Sequence, residues 1–308
     1  MKNKIEIEIT QHNFYKRLDK VLRKSLSQVP LSKIYYIIRK GHVSINGKIV
    51  RQHNYNLHIG DIIEIDTNEI ESFLLQDTKD DGLKPVKMDI NVIYEDEYIL
   101  AINKPSGISV HPGKDTKDYS ILNFLLYLGE KKKFTPHLVH RLDKYTSGVL
   151  LVAKNKDMAR RLSDMFSGKK IKKKYNALVW GEAKENFRIS IPLDNTNAIT
   201  NYTLIKRLKY RGFDLSYLEV EILTGKKHQI RRHLSMVGLP IVGDDKYGDW
   251  NKNKIFKKDF KKFKGYFLHC RDISFIHPVY KEEFLIEASM EIEKRDILAK
   301  LYKLSSNK

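Results

Sequence analysis

Apolar residues recur at helical spacing from the start of the chain. Leu18, Val21, Leu22 and Leu26 lie on one helical face, and Ser32 stands where an N-cap belongs, ahead of Lys33-Ile34-Tyr35-Tyr36-Ile37-Ile38-Arg39-Lys40 and a closing Gly41. The spacing predicts two short helices. Val43-Ser44-Ile45 and Lys48-Ile49-Val50 then flank Asn46-Gly47, a pair that accepts the left-handed backbone of a two-residue hairpin turn. A further strand is expected from Ile62 to Ile65, after the Gly60-Asp61 turn. Residues 14–66 therefore read as a small α+β domain.

Residues 67–88 change character. Glu69, Glu71, Asp77, Asp80 and Asp81 outnumber the lysines and no apolar face persists, which predicts a linker. From Ile90 strands dominate: Asn91–Tyr94 and Tyr98–Ile102 around an acidic turn, then Val149–Ala153, Tyr175–Trp180 and Ser216–Leu223. Helices are expected where Met158, Leu162, Met165 and Phe166 recur before Gly168, at Ile230, Leu234 and Val237, and at Ile297, Leu298 and Leu301. Ile255, Phe256, Phe260 and Phe263, set among lysines from Lys252 to Lys264, suggest an amphipathic insertion. The pattern predicts an α+β fold: a catalytic domain over 89–295 with a large mixed, mostly antiparallel sheet flanked by helices, and a basic tail over 296–308.

Charge adds a partner. With 57 Lys+Arg against 38 Asp+Glu the chain carries a net +19, which favours nucleic acid or another polyanion. Residues 1–66 hold 12 basic and 6 acidic groups, with Arg17, Lys20, Arg23, Lys24, Lys33, Arg39 and Lys40 on or beside the two helices. A lysine-rich chain also meets a need for solubility, and runs such as Lys169–Lys174 serve equally as solvated surface. No apolar stretch approaches a membrane span and the amino terminus lacks a signal-peptide core, so no membrane association and a cytoplasmic location are expected. The single cysteine, Cys270, fits a reducing compartment and excludes a thiolate zinc site; a small buried hydrophobe is its expected role.

Two segments concentrate chemistry. His140-Arg141-Leu142-Asp143-Lys144-Tyr145-Thr146-Ser147-Gly148 sets an imidazole, a guanidinium, a carboxylate and hydroxyls before an apolar strand. Thr224-Gly225-Lys226-Lys227-His228-Gln229-Ile230-Arg231 places His228 and Arg231 on one helical face. An aspartate that acts as a nucleophile has to stay ionised in a partly dry pocket, and an arginine fork can hold it so. Arg141 and Arg231 are both candidates, and spacing does not choose between them. For an isolated Arg-x-Asp a structural ion pair is the better explanation.

Residues 14–65 resemble the S4 RNA-binding domain in Arg17-Leu18-Asp19-Lys20-Val21-Leu22, Ile38-Arg39-Lys40-Gly41-His42-Val43 and Ile45-Asn46-Gly47-Lys48. Residues 88–290 resemble the RluA-type pseudouridine synthase family, its RluC-like branch most closely. The resemblance rests on His140-Arg141-Leu142-Asp143-x-x-Thr146-Ser147-Gly148, Lys174-Tyr175-x-Ala177-Leu178-Val179-x-Gly181 and Thr224-Gly225-x-x-His228-Gln229-Ile230-Arg231-x-His233-Leu234. Gly238-x-Pro240-Ile241-x-Gly243-Asp244 and Leu268-His269 with His277-Pro278 follow in the same order.

The resemblance implies isomerisation of uridine to pseudouridine in ribosomal RNA, 23S RNA above all. No cofactor, metal or protein partner is expected, and the enzyme should act as a monomer. Asp143 matches the catalytic aspartate, Tyr175 the tyrosine against the target base, and Arg231 the arginine paired with the aspartate. Arg141 matches a residue that fills the stack vacated by the flipped nucleotide, and His140, Thr146, Ser147, Lys226, His228 and Gln229 are expected around the substrate. Lys226 stands where the family usually has arginine, so the charge is kept there without the bidentate geometry for a phosphate. The competing reading is a catalytically inactive RNA-binding or ribosome-assembly factor, which has no need for this aspartate. A metal-dependent nuclease needs clustered carboxylates that the Asp143 segment lacks.

Overall fold

The structure, a computed structural model, describes residues 4–11, 14–26, 29, 31–66, 83–112 and 119–306. They form two compact units, divided after Leu83.

In the first unit, helices α1 (Leu18–Ser25) and α2 (Leu31–Lys40) accompany a four-stranded antiparallel sheet in the order β1-β4-β2-β3. The strands are β1 (Lys4–Glu8), β2 (Val43–Ile45), β3 (Lys48–Ile49) and β4 (Ile62–Asp66). Leu18, Val21 and Leu22 of α1 pack with Ile34, Ile37 and Ile38 of α2, and all six are buried with Ile63 and Ile65 of β4. Asn46 and Gly47 take φ of 50° and 76°, the left-handed pair that the hairpin requires. The unit starts earlier than the expected residue 14, because alternating Ile5, Ile7 and Ile9 add β1 to the edge at β4. Helix α2 starts at Leu31, one residue ahead of the expected cap Ser32, whose side chain lies outside the described residues, as does that of Lys33.

Most of the linker expected over 67–88 lies outside the described residues. Its end does not: Lys84 and Val86 are tied to the second unit, where Asn123 Nδ2 donates to the Lys84 carbonyl at 2.9 Å and the Val86 N–H to the Asn123 carbonyl at 3.0 Å. The second unit is built on a ten-stranded sheet whose main path runs β10-β11-β12-β9-β13-β8-β6-β5. These are β5 (Val92–Glu95), β6 (Ile99–Lys104), β8 (Ser147–Ala153), β9 (Lys172–Trp180), β10 (Asn186–Ile189), β11 (Thr200–Tyr210), β12 (Phe213–Ile222) and β13 (Leu268–Ile276). β7 (His137–Leu138) joins β8, and β14 (Glu283–Glu287) joins β13. The β13–β8 pair is parallel and the others are antiparallel, so the sheet is mixed and mostly antiparallel, as expected.

Among the described residues five helices complete this unit: α3 (Ile121–Lys132), α4 (Lys156–Ser167), α5 (Gln229–Met236), α6 (Trp250–Asp259) and α7 (Ile292–Ser306). The amphipathic insertion is α6 and the turn after it. Phe256 and Phe263 are buried and Phe256 meets Trp180 and Tyr210 edge-on, while Lys254, Lys258, Lys261, Lys262 and Lys264 are exposed. Residues 296–306, expected as a tail, are instead the body of α7: Ile297 and Leu301 are buried, and Ser305 Oγ accepts the Lys209 N–H of β11. Among the described residues no helix is long and apolar enough to cross a membrane.

Candidate active site

Asp143 lies in the loop between β7 and β8. Two constraints fix that loop. Thr146 N–H closes a turn on the Asp143 carbonyl at 3.0 Å, and Gly148 (φ 110°) runs so close to β13 that an added Cβ would sit 2.0 Å from the Cys270 carbonyl oxygen. From beneath, the wholly buried Lys104 donates to the carbonyls of Pro105, Ile108 and Lys144 at 2.7, 2.8 and 3.1 Å. Burial, with the nearby Lys294 charge, lowers the Lys104 pKa to about 7. Ser147 Oγ faces away from the cleft into a buried network, 3.0 Å from His269 Nδ1 and accepting from Lys294 Nζ at 2.9 Å.

The Asp143 carboxylate sits at the floor of a cleft of about 960 Å³, lined by the 139–146 loop, the starts of β9 and α5, and residues 221–228. Its side chain is 20% exposed. Arg231 Nη1 donates to Oδ2 at 3.2 Å, and Tyr266 Oη donates to the same oxygen at 3.3 Å. Oδ1 lies 3.8 Å from His228 Nε2.

The buried Arg231 has a second and closer partner. Nε and Nη2 donate to the Asp244 carboxylate at 2.6 and 2.9 Å, a bidentate fork, and the guanidinium lies 4.3 and 5.0 Å from the Tyr266 and Tyr247 ring centroids. Asp244 also accepts the N–H groups of Lys246 and Tyr247, and Tyr247 Oη meets His228 Nδ1 at 3.0 Å. Burial works against the charge of Arg231, but the hydrogen bonds to Asp244, the Asp244 charge and the hydrogen bond to Asp143 raise its pKa above the usual arginine value. Burial likewise opposes ionisation of Asp244, and Arg231 overrides it and lowers the carboxyl pKa. For His228 burial wins over Asp143 and lowers its pKa, so its ring is neutral at pH 7.

The remaining expected residues divide. Tyr175 of β9 is buried at the cleft wall, and burial, with Cys270 and Asp143 nearby, holds its hydroxyl protonated by raising its pKa. Arg141 is exposed at the rim with no hydrogen bond or ion pair among the described residues, and Lys226 also lines the cleft. Thr146 Oγ1 is 3.3 Å from Tyr266 Oη, beside the carboxylate. Gln229 is fully engaged within the protein: Oε1 accepts from Thr224 Oγ1 and Lys226 N–H, and Nε2 donates to the Ile199 carbonyl and Thr200 Oγ1. It shapes the 223–229 loop and has no group to spare for a ligand. His140 is also tied to the scaffold, with Nε2 accepting the Leu151 N–H at 2.9 Å. Cys270 is wholly buried, and burial pushes its thiol up to about 12.

Tyr266 and Asp244 are the partners that sequence reasoning missed. Asp244 stood inside a quoted motif as a carboxylate between apolar and glycine positions, and such a residue needs a cation when buried. Tyr266 had no such signal. Among the described residues no group of three or more His, Cys, Asp or Glu side chains is placed to hold a metal.

In the first unit Lys20, Arg23, Lys24, Arg39 and Lys40 are exposed, whereas the Arg17 fork is occupied by Asp19 at 3.0 and 2.8 Å. Tyr35 Oη donates to the same carboxylate at 3.2 Å.

The sequence model of the RNA pseudouridylate synthase family matches residues 98–236, and that of the S4 domain matches residues 16–63. The chain is 34% identical to ribosomal large subunit pseudouridine synthase C of Buchnera aphidicola subsp. Baizongia pistaciae, over 96% of both proteins. It is 33% identical to the protein of the same name from Vibrio parahaemolyticus, again over 96% of each. Among solved structures, human RNA pseudouridylate synthase domain containing 4 is similar at 26% identity with a TM-score of 0.55, covering 69% of this chain and 93% of that one. This chain belongs to the RNA pseudouridylate synthase family, with an S4 domain ahead of its catalytic unit.

Proposed function

We propose that the protein converts specific uridines of large-subunit ribosomal RNA, 23S RNA in particular, to pseudouridine, with Asp143 as the catalytic carboxylate. The observation that carries this is the placement of Asp143: one carboxylate, partly exposed at the floor of a nucleotide-sized cleft, held through Oδ2 by Arg231 and Tyr266. The names of the relatives support a ribosomal substrate.

In the reaction the C1′–N1 bond breaks, the uracil turns and C1′ bonds to C5. The proton leaves C5 and N1 ends with one, so atoms balance without a co-reactant. Arg231 and Tyr266 leave Oδ1 as the oxygen free to meet the nucleotide, either as nucleophile or as base. Tyr175, kept as a phenol, offers a ring face to the uracil and a hydroxyl near C5. Extruding the uridine costs a few kcal/mol, and the unpartnered Arg141 at the rim is suited to stack in the space left behind. Exposed Lys20, Arg23, Lys24, Arg39 and Lys40 serve as phosphate contacts of the S4 domain. The enzyme acts as a cytoplasmic monomer without cofactor, metal or protein partner.

The test maps pseudouridine in ribosomal RNA from cells lacking the gene and from the same cells supplied with wild-type protein or Asp143→Asn. A modification restored by wild type and absent with Asp143→Asn, in a variant that still folds and binds RNA, is the expected result. Full restoration by Asp143→Asn would sink the assignment.

A further inference from the structure

One wall of the cleft carries a cation with no counter-charge among the described residues. Within the basic run on β9 and the residues before it, Lys169, Lys170 and Lys172 are exposed and Lys174 pairs with Glu219 at 3.0 Å. Lys173 differs from all four. It lines the cleft partly buried, its ammonium 5.2 Å from the centroid of Phe166, and has no hydrogen bond or ion pair among the described residues. His140 lies against the same Phe166 ring with centroids 4.8 Å apart. Because His140 Nε2 accepts the Leu151 N–H, the ring proton is on Nδ1, and that buried nitrogen has no partner. Burial lowers the pKa of Lys173 and takes that of His140 to about 3, with the Lys173 charge adding to the shift, so the two groups are in electrostatic reach of each other.

A partly buried ammonium without a counter-charge is unfavourable, the neutral imidazole beside it supplies none, and an anionic oxygen entering from the cleft relieves it. Lys173 is two residues before Tyr175 on the same strand, so their side chains leave the same face about 7 Å apart. That separation is comparable with the reach from a nucleobase to the phosphate of its own nucleotide. We propose that Lys173 Nζ forms a subsite for a backbone phosphate flanking the uridine that enters the cleft. The subsite rests on the reading of the protein as a uridine isomerase and adds a substrate contact to it.

The probe is a ribosomal RNA transcript that the wild-type enzyme converts, together with copies carrying a neutral methylphosphonate linkage on the 5′ or the 3′ side of the modified uridine. Binding is measured against salt, and conversion in single turnovers. Lys173→Met should weaken binding or conversion by roughly tenfold or more, as expected when a charge-assisted hydrogen bond is removed, with Lys173→Arg largely retaining function. The slope of log affinity against log salt should fall by about 0.7–0.9, the equivalent of one phosphate. One of the two neutral linkages should cost the wild type as much, and cost Lys173→Met nothing further. A wild-type rate and salt slope in Lys173→Met would refute the subsite while leaving the isomerase reading intact, as would a Lys173→Met defect undiminished on both neutral linkages. If the wild type converts no uridine in any ribosomal transcript, the isomerase reading fails and the subsite with it.

Discussion

Arg231 gives Asp244 its fork and Asp143 only a single nitrogen. The two hydrogen bonds to Asp244 are 2.6 and 2.9 Å, against 3.2 Å to Asp143. Asp244 therefore sets the orientation of the arginine, and the arginine holds the Asp143 carboxylate. Asp244→Asn keeps the shape but cannot accept the fork with both oxygens. It should lower kcat about 100-fold, the cost of a slightly misplaced catalytic group, with KM for RNA little changed. An unchanged kcat in single-turnover assays would remove Asp244 from this role. Asp244→Ala leaves a buried guanidinium unpaired and should destabilise the fold by about 3–5 kcal/mol in urea unfolding.

The second prediction concerns the parallel pairing of β8 with β13. With φ at 110° and a Cβ position 2.0 Å from the Cys270 carbonyl, Gly148→Ala collides with backbone on a strand that has no room to move. It should cost about 3 kcal/mol or more, read as a shift of the denaturation midpoint. Gly212→Ala, with φ at 81° and nothing within 4 Å of its Cβ position, should cost much less.

A third follows from two buried histidines. Burial lowers the pKa of His140 to about 3 and of His269 to about 4, against 6.5 when unfolded. Between about pH 4 and 6.5 the unfolded chain binds protons that the folded protein refuses, so stability is fully present above pH 6.5 and is lost on acidification. As pH is lowered from 6.5 to about 5, the slope of unfolding free energy from these two rings should grow from about one proton towards about two, and His140→Gln should remove about half of it. A flat profile would contradict the buried, neutral state of both rings.

A fourth separates grip from chemistry. The combined change Lys20→Ala, Arg23→Ala and Lys24→Ala removes three exposed cations from α1. RNA binding should weaken and its salt dependence flatten by up to about 0.9 for each phosphate no longer neutralised, while conversion at saturating RNA stays at the wild-type rate. A fall in the saturated rate would show that this face does more than hold phosphate.

How far the sequence could be read depended on whether a residue's partner was nearby in the chain. The Asn46-Gly47 hairpin, the α4 stripe and the period-two strands β9 and β12 follow from local spacing, and each is present within a few residues of its expected bounds. Helix α3 escaped notice because Ile121, Phe124, Leu125 and Leu128 are buried in a segment that is apolar almost all round, which leaves no one-sided stripe to detect. The choice between Arg141 and Arg231 was likewise open on spacing, and the fold answers it by burying Arg231 against Asp143 and leaving Arg141 at the rim. Tyr266 was invisible because it meets Asp143 across 123 positions of sequence.

Those long separations bear on when the protein becomes competent. Asp143 meets Arg231 across 88 positions and Tyr266 across 123, and the loop beside it is braced when Lys294 reaches Ser147 across 147. During synthesis the amino-terminal S4 unit is complete long before any of these long-range pairs exists, because domains fold as units from the leading end. The S4 unit of a nascent chain is thus folded before Asp143 meets Arg231 and Tyr266, and the loop beside Asp143 gains its last brace when α7 docks.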